Sequence, residues 1–226
     1  MPEQPTLHRD DHLLVVSKPV NLAVHRGLAR DPVYAMTLAR DAAGQWVYPV
    51  HRLDRPTSGV LVFALDSEAA RAVAGQFEAG TVAKRYLALV RGIPEAAGVI
   101  DHPVPKDPGA ARVPAVTEFR RLWGVDLGER RRYAWMEARP RTGRLHQIRR
   151  HFKHRSHPLI GDVRYGKGEH NRFFRERYGL HRLALHAFEL TFEHPATGER
   201  MTVRAPLPED LARPLDRLGV EPREPD

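Results

Sequence analysis

The chain has 226 residues, 42% of them apolar, with 36 Lys+Arg against 28 Asp+Glu and a formal net charge of +8. That length is enough to bury a core, and the apolar fraction is that of a globular chain and not a disordered one. With no Cys, a disulfide scaffold, a thiolate zinc site and a cysteine nucleophile are excluded.

In chain order, the polar start MPEQPTLHRDDH lacks the pattern of a signal peptide. Leu13 to Ser17 reads as a short buried strand stopped by Pro19, and Val33 to Ala43 has helical spacing that ends at Gly44. The longest apolar run, Gly59 to Leu65, is a buried strand, far short of the ~20 residues of a bilayer span. Asp66 and Ser67 offer an N-cap for a helix with Ala69, Ala72, Val73 and Phe77 on one face, closed by Gly80. Lys84 to Arg91 is the next strand, and the Pro- and Gly-rich stretch His102 to Pro114 reads as an exposed loop. Strands follow at Ala115 to Leu122 and Arg131 to Arg139, then a helix from about Arg144 to His154. Strands at Ala184 to Phe192 and Arg200 to Ala205 flank a turn at Pro195 to Gly198. A helix near Pro208 to Leu218 closes the chain, and residues 219–226 read as a frayed tail. Strands outnumber helices without alternating regularly with them. The expected class is therefore α+β, a mixed, mostly antiparallel sheet flanked by helices and loops. No linker or repeat divides it, so a single domain in the cytoplasm is expected.

The positive charge is concentrated. Between Arg130 and Arg182 there are 16 Lys+Arg and 4 Asp+Glu, a local balance of +12 on a background of −4. Of the 36 basic residues 31 are Arg, whose planar fork suits phosphate and base edges. Such a face points to a polyanion, and nucleic acid is the commonest.

The densest chemical signal is HRLDRPTSG, His51 to Gly59. Asp54 lies between Arg52 and Arg55, a setting that favours an ionised carboxylate and so suits a nucleophile or electrostatic stabiliser better than a general acid. A loop held by a structural Asp–Arg pair is the alternative. The second signal is RTGRLHQIRRHFKH, Arg141 to His154. At 100° per residue Leu145, Ile148 and Phe152 form one apolar stripe, Arg149 borders it, and Arg150 and His154 point away. An Arg leaning into a packed face needs a carboxylate, and Asp54 is a natural candidate; a snorkelling Arg is the alternative. His146, His151, His154 and His157 invite a metal reading, but acidic residues are scarce and the guanidiniums would repel a dication. In the strand Arg131 to Arg139, Tyr133 and Trp135 share a face with Arg131, Glu137 and Arg139. That pattern fits either a stacking platform for bases or cross-strand aromatic packing.

HRLDRPTSG, the K-x-Y of Lys84 to Tyr86, TGRLHQIRRH and Leu159-Ile160-Gly161-Asp162 occur in this order. With Lys18-Pro19, they make the chain resemble the RluA-type pseudouridine synthases from about Leu7 to Leu218. Arg55-Pro56, Arg149-Arg150 and the stretch around His170-Asn171-Arg172 resemble most the branch of that family acting on uridine 65 of tRNA. The resemblance implies one catalytic domain without an extra N-terminal RNA-binding domain. It makes Asp54 the catalytic aspartate, Tyr86 the ring that packs on the target uracil, and Arg149 the partner of Asp54. Ile148 would line the uracil pocket, Arg52 would enter the RNA stack, and Arg55, Arg150 and His146 would complete the substrate-binding set. Because the isomerisation takes every atom from the uridine, no metal, nucleotide or redox cofactor is implied. The implied partner is tRNA or another structured RNA, with no membrane, no protein partner and a monomeric chain. An rRNA-directed relative and a non-catalytic RNA-binding module are the competing readings. His102 to Pro114 and Lys167 to Tyr178 depart from the family pattern.

Overall fold

The computed structural model describes residues 4–26, 32–105, 109–221 and 224. The elements in chain order are β1 (Thr6–Arg9), β2 (Leu13–Lys18), α1 (Ala35–Ala43), β3 (Tyr48–Pro49), β4 (Ser58–Ala64) and α2 (Ser67–Ala79). There follow β5 (Ala83–Arg91), β6 (Ala97–Asp101), β7 (Val104–Pro105), β8 (Arg112–Val113), β9 (Val116–Asp126) and β10 (Arg132–Pro140). The last are α3 (Gln147–His154), α4 (Gly168–Tyr178), β11 (Leu185–Glu193), β12 (Arg200–Arg204) and α5 (Glu209–Leu218). Helices beside antiparallel ladders make the class α+β, as expected. The chain forms two compact units, Met1–Lys84 with Ala187–Pro206, and Arg85–His186 with Leu207–Asp226.

In the first unit β2 and β4 run antiparallel, with Leu13 opposite Ala64 and Lys18 opposite Gly59. Both strands are buried almost throughout, so their sequences read as unbroken apolar runs and not as alternation. β1 pairs with β2, β3 with β4, and β12 with β11. Leu13, Val15, Val60, Val62 and Val73 pack with Leu190, Phe192 and Val203 into one core. The capping signals of α2 both operate: the Asp66 carboxylate accepts the Ala69 N–H, and Gly80 takes the left-handed conformation.

In the second unit β10 lies between β5 and β9, and β6 pairs with the far side of β9. Glu137 stands opposite Leu87 of β5 and Arg120 of β9. Side chains alternate across these ladders: Ala88, Val90, Ala134, Met136 and Ala138 turn to one face and pack on Ile148 and Phe152 of α3.

Several expectations are corrected. Tyr133 and Trp135 are fully buried, so they cannot serve as a platform for bases; Tyr133 packs on Phe173 and Phe174 and bonds His170 Nδ1 through its hydroxyl. The aromatic packing of Tyr133 is therefore against the helix α4, where cross-strand packing was the alternative expected. The helix expected from about Arg144 begins at Gln147. Gln147 Oε1 accepts the Arg144 N–H and the Thr142 hydroxyl, which holds the chain in a turn until His146 at φ 53°. Residues 168–178, not read as regular structure, form α4, because His170, Phe174 and Tyr178 supply its buried face at i, i+4 and i+8. The loop from His102 to Pro114 contains the antiparallel pair β7–β8, and residues 106–108 lie outside the described ones. Val220, read as part of the tail, is buried and donates its N–H to Leu215. Most of the remaining tail lies outside the described residues.

Candidate active site

Asp54 belongs to the first unit and lies in the turn that leads into β4. Thr57 N–H donates to the Asp54 carbonyl at 3.0 Å, closing that turn. Lys18, at the end of β2, is fully buried and clamps the turn from below. Its ammonium donates to the carbonyls of Pro19 at 2.9 Å, Leu22 at 2.8 Å and Arg55 at 3.3 Å. On the other side His51 Nε2 accepts the Val62 N–H at 3.0 Å while its ring stacks on Phe77. Burial, and then the nearby Lys84 ammonium, push the His51 imidazole down to about 3. It is therefore neutral, with the proton on Nδ1 so that Nε2 can accept. Gly59 closes the segment at φ +120°, where a Cβ would stand 2.1 Å from the Ala187 carbonyl oxygen. Lys18, His51 and Gly59 thus each constrain the backbone around Asp54. Arg52 is exposed, and Arg55 reaches the Asn21 carbonyl through Nε.

The other expected residues belong to the second unit. Tyr86 is half-buried and packs against the apolar cluster that contains Ile148. Arg149 is buried and grips Asp162 with two donors, Nε to Oδ2 at 2.7 Å and Nη2 to Oδ1 at 2.9 Å. Burial would raise the Asp162 carboxyl, but Arg149 and the N–H groups of Tyr165 and Arg164 hold it below the usual carboxylate range. Sequence reasoning assigned Arg149 to Asp54 and missed Asp162. The available signal was that Asp162 is one of only 4 acidic residues among the 16 basic ones of the charged block.

Tyr165 was also missed, and it organises the surroundings of α3. His146 Nδ1 and Arg150 Nε both bond its hydroxyl, at 2.9 and 3.0 Å. The guanidiniums of Arg149 and Arg150 lie 5.1 and 5.8 Å from its ring centroid, a cation–π arrangement. Arg150, expected to point away, also donates to the Pro105 carbonyl at 2.8 Å. The remaining histidines diverge: His151 lies between Thr117 and the His102 carbonyl, His154 stacks on His102, and His157 bonds the Arg91 carbonyl. Among the described residues no group of three or more His, Asp or Glu is disposed to hold a metal ion.

The family model for RNA pseudouridylate synthases matches residues 12–154. The match contains the Asp54 turn, Tyr86 and all of α3. The chain belongs to the RNA pseudouridylate synthase family. Among curated members of the family, tRNA pseudouridine synthase C of Vibrio cholerae is 42% identical over 94% of this chain and 95% of its own. The protein of that name from Salmonella typhimurium is 41% identical over 94% and 89%. Among solved structures, human RNA pseudouridylate synthase domain containing 4 superposes with a TM-score of 0.80 at 27% identity, covering 97% of this chain and 95% of that one. A second human family structure, domain containing 1, reaches 0.74 at 28% identity, over 92% and 86%. No helix among the described residues is long and apolar enough to cross a membrane.

Proposed function

We propose that the protein is a tRNA pseudouridine synthase that isomerises one uridine, at position 65, and that Asp54 carries the chemistry. The observation behind this reading is a carboxylate on a turn clamped by Lys18 and His51. That turn lies in a chain 42% identical, nearly end to end, to tRNA pseudouridine synthase C of Vibrio cholerae.

The uridine first leaves its stack, at a cost of a few kcal/mol, and Arg52 fills the space it vacates. Tyr86 packs on the uracil and Ile148 forms the apolar wall beside it. Asp54 then promotes departure of N1 from C1′, by attack at C1′ or by way of a glycal. The freed uracil turns within the pocket, C5 takes the bond to C1′, the C5 proton leaves with help from Tyr86, and N1, no longer bonded to the sugar, takes up a proton in its place. Confinement is what keeps the detached base close enough to rejoin. Arg55, Arg150 and His146 meet the RNA around the target. All atoms of the product come from the substrate, so no cofactor enters. The protein works in the cytoplasm as a monomer.

Wild type and Asp54→Asn are to be compared on tRNA transcripts, with pseudouridine mapped and RNA affinity measured. The expected result is isomerisation at position 65 by wild type only, with affinity within about tenfold, or roughly 1.4 kcal/mol. Full activity of Asp54→Asn refutes the mechanism. Modification of rRNA in place of tRNA refutes the substrate.

A further inference from the structure

Glu137 is fully buried at the middle of β10, and three arginines converge on it. Arg85 Nε donates to Oε1 at 3.0 Å, Arg120 to Oε2 through Nη2 at 2.9 Å and Nε at 3.3 Å, and Arg139 Nε to Oε1. Burial would raise the Glu137 carboxyl, but the bonds from Arg139 and Arg120, with Arg85 nearby, keep it below the usual range.

The sheet register places this cluster away from the uracil wall. Ala138 is opposite Tyr86, and both belong to the core face with Ile148. Glu137, one residue earlier, turns to the other face. On that face Arg120 and Arg139 are 54% and 50% exposed, and Val99, whose register partner Glu118 lies on the same side, is 58% exposed. Arg141 sits beside them in a two-pronged bond to Glu118.

One guanidinium is enough to neutralise one carboxylate, so three around Glu137 add mutual repulsion. A carboxylate buried in this way needs a cation, but Arg85, the best shielded of the three at 13% exposed, already supplies one, and the half-exposed Arg120 and Arg139 add little stability beyond it. The way they are held explains their use. Each bonds Glu137 through Nε, the inner edge of its fork, which leaves distal N–H groups of Arg120 and Arg139 on the open face. Four guanidiniums against two carboxylates make a pre-positioned cationic surface, and the fork geometry of Arg matches phosphate.

We infer that Arg120 and Arg139, held by Glu137, form a second RNA-backbone site on the sheet face opposite Tyr86, which meets phosphates remote from the target uridine. The inference rests on the reading of an RNA substrate given above.

The test uses the full chain with Arg120→Gln, Arg139→Gln and the double variant. Affinities for a full-length tRNA transcript and for a minimal stem-loop bearing the target are measured across salt concentrations. The double variant is expected to bind full-length tRNA about tenfold or more weakly. Its slope of log K against log salt should be smaller by roughly two, about one for each phosphate no longer neutralised. Stem-loop binding and the single-turnover rate at saturating RNA should match wild type. Unchanged affinity and slope for full-length tRNA overturn the inference, as does a lower single-turnover rate at unchanged affinity. If the double variant fails to fold, the single variants decide by the same criteria, each with a slope change of about one. A wild-type chain that binds tRNA with this salt dependence but makes no pseudouridine would refute the functional reading and leave the site standing.

Discussion

Arg149 and Asp162 form a two-pronged ion pair in which the side chains are 5% and 0% exposed. The same carboxylate also accepts the N–H groups of Arg164 and Tyr165. One residue therefore fixes an inward arginine on α3 and shapes the loop that carries Tyr165. Removing one partner strands a buried charge, which costs about 3–5 kcal/mol. Asp162→Ala and Arg149→Met should each lose that much in denaturant unfolding, and the double variant should lose clearly less than the sum. Additive losses would refute the coupling. Because the folded carboxyl of Asp162 is held below its ordinary 3.8, its contribution is present above that pH. It is lost as pH falls through the lower, folded value. Wild type should therefore lose more stability than Asp162→Asn on acidification below about pH 4.

His51 has the opposite chemistry but the same sign. Its folded value of about 3 lies below the ordinary 6.5, so between these limits the unfolded chain binds the proton and the folded chain does not. Stability is complete above pH 6.5 and falls as pH drops towards 3. His51→Gln keeps an acceptor for the Val62 N–H without an imidazole, and should flatten unfolding free energy against pH across that window. An unchanged profile would show that His51 does not contribute.

Two glycines separate backbone necessity from tolerance. Gly59→Ala would put a methyl group 2.1 Å from the Ala187 carbonyl oxygen at φ +120°. Loss of several kcal/mol or failure to fold is expected, since both strain and steric overlap act at once. Gly75, exposed within α2, has nothing within 4 Å of the added Cβ. Gly75→Ala should raise stability by about 0.5–1 kcal/mol in thermal or denaturant melts. A neutral Gly59→Ala would refute the close approach of β4 to β11.

Much of the fold was legible because its signals are local. The apolar runs of β2 and β4, the Asp66 cap and the closing glycines of α1 and α2 act over a few residues, and the structure places them where the sequence implied. α4 was not legible, because its buried face is made by His170, Phe174 and Tyr178 within an otherwise charged segment. Its hydrophobic period is hidden by the residue types that carry it.

The sequence by itself determined the α+β class, the basic block and the contiguous HRLDRPTSG motif around Asp54. Composition, short-range capping and a contiguous motif need no knowledge of distant partners. Only the tertiary structure decided where the charge goes. Of the 4 acidic residues in the basic block, Glu137 and Asp162 are buried: Glu137 gathers Arg85 and Arg120 from the two neighbouring strands, and Asp162 takes Arg149 from α3. It also decided that Tyr133 and Trp135 are core and that Tyr165 joins His146 to Arg150. A buried carboxylate must find a cation wherever the fold brings one within reach, and that choice depends on long-range register, which no window of sequence contains.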